Sequence, residues 1–174
     1  RLRYRATFWR TVQWRWPQGA DLPKYLLGGI LLAGAIQALS YLFPMPPSLP
    51  IDKYFQDRTS AWLLTIFGVT LAPLVEELFY RGFVYPALAR RVGMGAGTMI
   101  TAAGFALMHS AQLAHAWGPL FILFLVGLVL TIVRIVSRSV VPGVLMHIAY
   151  NATLFTMLYL ASDGYRHLEK VLQQ

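Results

Sequence analysis

Residues Tyr25 to Phe43 form 19 consecutive positions without a charged side chain, about the length a helix needs to cross a bilayer core. The run is longer than the apolar region of a signal peptide and reads as a retained span. Pro44, Met45, Pro46 and Pro47, with Pro50 beyond, cannot propagate a helix and read as a loop. A second span is expected from about Thr59 through Glu76 and Glu77 toward Arg90, kinked at Pro73 and long enough to protrude. Gly93, Gly95 and Gly97 break that pattern, and Val92 to Trp117 is free of Lys, Arg, Asp and Glu, which predicts a third span. Gly118-Pro119 marks a turn and a restart; Leu120 to Val133 then runs apolar until Arg134 and Arg138 interrupt it, a short fourth span. Pro142 suits the first turn of a fifth, from about Val140 to Ala161. The pattern predicts an all-α, polytopic transmembrane helical bundle of about five spans. Residues 1–24 form a basic, Trp-rich interfacial segment, 25–162 the transmembrane helical domain, and 163–174 a polar tail ending at Gln174.

Composition agrees with a surface that meets lipid. Of 174 residues only 13% are charged, against about 25% in soluble domains, while 57% are hydrophobic and the mean hydropathy is +0.54. The net charge of +8 would suggest nucleic acid in a soluble protein. Here the basic residues lie between apolar runs, where they report orientation instead, and no nucleic-acid partner is inferred. Eleven of them (Arg1, Arg3, Arg5, Arg10, Arg15, Lys24, Arg81, Arg90, Arg91, Arg134 and Arg138) fall on one side of the alternating spans, and four (Lys53, Arg58, Arg166 and Lys170) on the other. A cytoplasmic N-terminus, a non-cytoplasmic C-terminus and, in a bacterium, an inner-membrane location are expected. Trp9, Trp14 and Trp16 interleave with Arg10 and Arg15, so Phe8 to Trp16 is expected to lie as a helix at the lipid headgroups. Without cysteine neither a disulfide framework nor a thiolate metal site is possible. The first residue is Arg1 rather than Met, from which a longer parent chain is expected.

Two acidic residues sit inside the second apolar run. An Asp-type charge at the centre of a membrane helix costs roughly 2.5–3.5 kcal/mol, so Glu76 and Glu77 need partners or a wet cavity. Arg81 lies four residues after Glu77, the helical spacing for an ion pair. Glu76 is left over, with only Tyr80 on its own face, and is free to act as a general base. His109 follows Phe105 by four in the third run, and His147 precedes Asn151 by four in the fifth. Gly143, His147 and Asn151 form one stripe, and the glycines at 143 and 104 would admit a close neighbour. Polar groups on three apolar helices are most cheaply satisfied by convergence on one cavity. A carboxylate, two imidazoles and a carboxamide fit amide hydrolysis in two ways. Glu76, His109 and His147 bind a divalent ion such as zinc that acidifies water, or Glu76 with His109 activates water directly while His147 and Asn151 hold the oxyanion. His-Glu-x-x-His and Gly-x-Ser-x-Gly motifs are absent. His115 reads as interfacial and His167 as solvated.

Glu76-Glu77-Leu-Phe-Tyr-Arg81 follows an EExxxR pattern, Phe105-Ala-Leu-Met-His109 an FxxxH pattern and His147-Ile-Ala-Tyr-Asn151 an HxxxN pattern. In that order, over about residues 62–158, they resemble the type II CAAX prenyl endopeptidases and their bacterial CPBP (Abi) relatives. The resemblance implies a membrane-embedded peptidase whose cavity opens toward the cytoplasm, acting on a peptide or protein substrate that is lipidated in the prenyl-processing members. It implies that Glu76 is the catalytic group, that Glu77 pairs with Arg81, that His109 works with Glu76, and that His147 and Asn151 hold the oxyanion. Competing readings are a non-enzymatic binding or immunity protein that keeps the fold, and a proton or ion relay, which would string its groups across the membrane.

Overall fold

A computed structural model describes residues 7–44, 46, 48–55 and 57–168. Arg1, Arg3, Arg5, Met45, Pro47, Lys170 and the end of the polar tail at Gln174 lie outside the described residues. Among those described there is no strand. The helices are α1 (Phe8–Thr11), α2 (Leu22–Ser40, after a 3-10 turn at Gly19–Asp21), α3 (Arg58–Val69), α4 (Leu71–Glu77), α5 (Tyr85–Val92), α6 (Met94–Met108), α7 (Trp117–Ser137) and α8 (Val141–Ala161). A 3-10 segment, Pro50–Phe55, precedes α3, and a π-helical segment, Leu78–Val84, joins α4 to α5.

Four helical stretches are long and apolar enough to cross a membrane: Gly19–Ser40, Arg58–Val92, Trp117–Ser137 and Val141–Ala161. The expected third span is shorter than its apolar run. Helix α6 has 15 residues, about 22 Å at 1.5 Å per residue. Beyond it the chain turns, with positive φ at Ala114 and His115, and the Gln112 carbonyl accepts the Ile51 N–H at 3.3 Å. The uncharged run therefore continues past the helix into a turn that is tied to the Pro50–Phe55 segment by this one backbone bond.

The fourth span is longer than expected. Gly118 and Pro119 lie in the first turn of α7, with Gly118 packed against Phe43 and Pro44, and Arg134 sits inside the helix rather than ending it. The buried guanidinium of Arg134 is accommodated because both of its sides are hydrogen-bonded, as described below.

The Arg58–Val92 stretch is interrupted twice. Asp57 caps its start, its carboxylate accepting the N–H groups of Thr59 at 2.8 Å and Ser60 at 3.0 Å. Pro73 supplies no N–H to the Val69 carbonyl, and the chain breaks at Thr70 (φ −114°, ψ −72°) between α3 and α4.

Contacts identify the two ends of the bundle. At one end Val12 and Val140 both pack against Gly82, the Gln13 carbonyl accepts the Val140 N–H at 3.3 Å, and Ser139 Oγ donates to the Arg15 carbonyl at 2.6 Å. At the other, Gly118 meets Pro44, and Phe55 and Ala61 cluster with Tyr165 and Leu168. Gly19–Ser40, Arg58–Val92, α6, α7 and α8 therefore alternate in direction. The expected headgroup helix is a correction: only Phe8–Thr11 is helical, and the rest of Phe8 to Trp16 is a strap tied to the α7–α8 connection through Ser139 Oγ, which bonds the Arg15 backbone, and the Val140 N–H.

The outside of the bundle is apolar, with Leu31, Leu63, Ile66, Val136 and Leu160 all exposed. Inside, Ala33, Phe105, Val126, Leu130 and Tyr150 form the core. Helices α2 and α8 approach to backbone contact, since a Cβ on Gly29 would lie 2.7 Å from Ala149 Cβ and 2.8 Å from Tyr150 N.

Candidate active site

The chain turns into its π-helical segment directly after Glu76 and Glu77, and π turns inside α-helices are frequent at functional sites. Glu77 and Arg81 are fully buried, and Arg81 Nη1 donates to Glu77 Oε1 at 2.8 Å. Arg81 Nη2 donates to the Gly127 carbonyl at 2.9 Å and Nε to Thr131 Oγ1 at 3.3 Å. The Phe105 ring covers the guanidinium, its centre 4.6 Å away. A Cβ on Gly127 would lie 3.1 Å from Ala102 Cα, so the glycine lets α7 pack closely on α6 beside Arg81.

Glu77 reaches across to α8 as well. Its Oε1 lies 3.0 Å from His147 Nδ1. A carboxylate only accepts, so Nδ1 carries the proton and, in the neutral ring, Nε2 presents a lone pair. Glu77 Oε2 has no hydrogen-bond partner among the described residues and faces Gly143, where a Cβ would lie 2.8 Å from it. The expected role of Gly143 is thereby revised, for it makes room for a carboxylate rather than for a helix.

His109 sits at the C-terminal end of α6, its Nδ1 2.9 Å from the Phe105 carbonyl. A carbonyl accepts too, so the same tautomer is fixed. Both imidazoles turn Nε2 toward Glu76. His109 Nε2 is 3.8 Å from Glu76 Oε1 and His147 Nε2 is 3.9 Å from Oε2. Glu76 and His109 each keep 18% of the side chain exposed. Each oxygen of the partly open Glu76 carboxylate is thus faced by one imidazole Nε2.

Two expectations find other partners. Tyr80 donates its hydroxyl to the Gly104 carbonyl at 3.1 Å rather than to Glu76. Asn151 Nδ2 donates to the Gly68 carbonyl at 2.6 Å, tying α8 to α3 two residues before the break at Thr70. Sequence reading did not single out Gly127 and Thr131, although their i,i+4 spacing in an apolar helix, on the face that also carries Arg134, was a usable signal.

The candidate metal ligands Glu76, His109 and His147 do meet, but widely. Nitrogen and oxygen ligands of a tetrahedral zinc sit roughly 3.4 Å apart, whereas the gaps here are 3.8 and 3.9 Å. Among the described residues no group of three His, Cys, Asp or Glu could hold a metal ion. The residues as placed do not fit a metal centre, and no step below runs through one.

Residues 58–153, over half of the chain, match the type II CAAX prenyl endopeptidase Rce1-like family. The chain is also 36% identical over 152 residues to an Escherichia coli protein described as an uncharacterized 24.3 kDa protein, covering 86% of this chain and 65% of that relative's length. No solved structure matches. The matched stretch begins with the first turn of α3 and ends one helical half-turn after Asn151, enclosing Glu76, His109 and His147; the chain belongs to the type II CAAX prenyl endopeptidase Rce1-like family.

Proposed function

We propose that the chain is an intramembrane endopeptidase that hydrolyses a peptide bond of a membrane-associated substrate, with Glu76 as the group that takes the proton from water. The observation that supports this is the approach of two fixed-tautomer imidazoles to one half-open carboxylate, at 3.8 and 3.9 Å. Those gaps are too long for direct hydrogen bonds, and a water about 2.8 Å from Glu76 and from His109 Nε2 fits between them.

In this reading the water gives a proton to Glu76 as its oxygen bonds to the substrate carbonyl carbon. The carbonyl electron pair moves to oxygen, where His147 and Asn151 stabilise it. His147 donates through Nε2–H when its ring carries both protons, with Nδ1–H held by Glu77. Asn151 donates the amide proton that Gly68 does not use. Glu76 then passes its proton to the amide nitrogen, the C–N bond breaks, and an acid and an amine leave. A proton relay would space its groups along the membrane normal; gathering both histidines on one carboxylate favours hydrolysis.

The test is cleavage in proteoliposomes of peptides with and without a C-terminal lipid anchor, with and without chelator, by the parent chain and by Glu76→Gln. The parent is expected to cleave in both conditions and the variant about 10²–10⁴-fold more slowly, at normal yield. A parent that binds but cleaves neither peptide class would favour the binding-protein reading. The split of basic residues also leads us to place the N-terminal end in the cytoplasm. Cysteine labelling at Ser48 and Ser137 checks it, and labelling of both from one side would overturn the alternation.

A further inference from the structure

Arg134 takes no part in the chemistry above and lies in none of the three motifs, yet it is buried in α7. Its Nε donates to the backbone carbonyl of Arg81 at 3.1 Å, and its Nη2 donates to Gln13 Oε1 at 2.6 Å. The sequence that follows explains why this carbonyl takes a side-chain donor. In an α-helix the Arg81 carbonyl would accept from the Tyr85 N–H, but in the π register that N–H goes to Tyr80. The π-register donor to Arg81 would be residue 86, and residue 86 is proline, which has no N–H. The carbonyl is left without a backbone donor inside the bundle, where an unmet polar group is costly.

We propose that Arg134 is a positioning residue: its guanidinium replaces the N–H that Pro86 lacks, and so holds the π turn that sets Glu76 and Glu77 in phase with Arg81 and the two histidines. Gln13 holds Arg134 in turn. The strap, which lies outside the family match of residues 58–153, is thereby part of the support of the site. The link from the turn to turnover rests on the reading of Glu76 as the reactive carboxylate; the link from Arg134 to the turn does not.

The test exploits the proline. Pro86→Ala puts an N–H back at the π position, so it should substitute for the guanidinium in an Arg134→Met background. Two quantities are followed in detergent micelles: amide hydrogen exchange of residues 78–85, and kcat and KM for cleavage of a lipid-anchored peptide. Arg134→Met is expected to speed exchange about tenfold or more, the size expected for losing a hydrogen bond to a charged donor. It should lower kcat by a similar factor with KM nearly unchanged. Pro86→Ala alone should change neither, and the double variant should return both toward the parent. Merely lost packing around Arg134 would not be repaired by an added N–H forty-eight positions away. Exchange unaltered in Arg134→Met, or raised there and not corrected by Pro86→Ala, overturns the proposal. Should Arg134→Met fail to fold, recovery of a folded double variant supports the proposal and continued failure overturns it. If exchange responds as expected while the parent cleaves nothing, the positioning role stands and the peptidase reading falls.

Discussion

Glu76 and Glu77 are adjacent and chemically identical, yet they occupy opposite kinds of place. Around Glu77 the polar contacts are short and the partners are buried: Arg81 at 2.8 Å, His147 at 3.0 Å, and Arg81 in turn bonded to Gly127 and Thr131. Around Glu76 the neighbours stand back at 3.8 and 3.9 Å and part of the carboxylate stays open. The first arrangement spends its hydrogen-bonding capacity on fixing geometry. The second leaves capacity unspent, which a group that must receive and return a proton requires. His147 belongs to both, with Nδ1 on the locked side and Nε2 on the open one, so rigidity passes from one carboxylate to the surroundings of the other.

The largest expected effect comes from removing the open carboxylate. Glu76→Gln keeps the shape and deletes the proton acceptor, so kcat should fall about 10²–10⁴-fold while yield and thermal unfolding in detergent stay at parental values. Near-native turnover in this variant would erase the distinction drawn above.

Next is the locked partner. Glu77→Gln leaves the Arg81 cation without its counter-charge in a fully buried site, which should cost roughly 3–5 kcal/mol of stability. Unfolding in detergent measures it. A Glu77→Gln protein as stable as the parent, beside a destabilised Glu76→Gln, would reverse the assignment.

Much of this contrast was legible in the sequence, for a physical reason. The Glu77–Arg81 pair depends on one helical turn, and local spacing survives even where the turn becomes π-helical. The gathering of His109 and His147 on Glu76 was legible as well, because isolated polar groups on three apolar helices have few other ways to be satisfied. What depends on contacts distant in sequence was not. Arg134 reads as a cation ending a span, since charge counts against insertion, and only the pairing with Gln13 and the Arg81 carbonyl makes its burial tolerable. The end of α6 at Met108 was hidden because the following turn, like the helix, carries no Lys, Arg, Asp or Glu. Likewise the partner of Asn151 lies on α3, and no spacing within α8 points there.

A smaller effect, and one that touches both regions, is expected at Gly143. An added methyl there would stand 2.8 Å from Glu77 Oε2, against a carboxylate already held by Arg81 and His147. Gly143→Ala should cost about 1–3 kcal/mol, the range for overpacking a well-packed interior. Because His147 moves with Glu77, kcat should fall as well, by up to about 10²-fold for a displacement near 1 Å. Gly34 is the control, since a Cβ there meets nothing within 4 Å. Gly34→Ala should be neutral or stabilise by about 0.5–1 kcal/mol, as for alanine replacing glycine in a helix. Loss of stability at Gly143 without loss of turnover would show that the two carboxylates are not coupled through His147.

The smallest expected effect is also the sharpest test of whether the locked region serves stability alone once its geometry is kept. Thr131 Oγ1 accepts from Arg81 Nε at 3.3 Å, the longest bond in the cluster, and donates to the Gly127 carbonyl at 2.7 Å. Thr131→Val is close in shape and removes both bonds. The Gly127 carbonyl keeps its bond from Arg81 Nη2, and Arg81 keeps Glu77, so only one donor, Nε, loses its partner. The cost should be about 1 kcal/mol, in the range of a single hydrogen bond. No element that presents Glu76, His109 or His147 changes its contacts, so kcat and KM should remain at parental values. A fall in kcat larger than the fall in stability can account for would mean that Arg81 shifts when one of its bonds is released. The open carboxylate would then be tuned by the locked one continuously, rather than simply held in place by it.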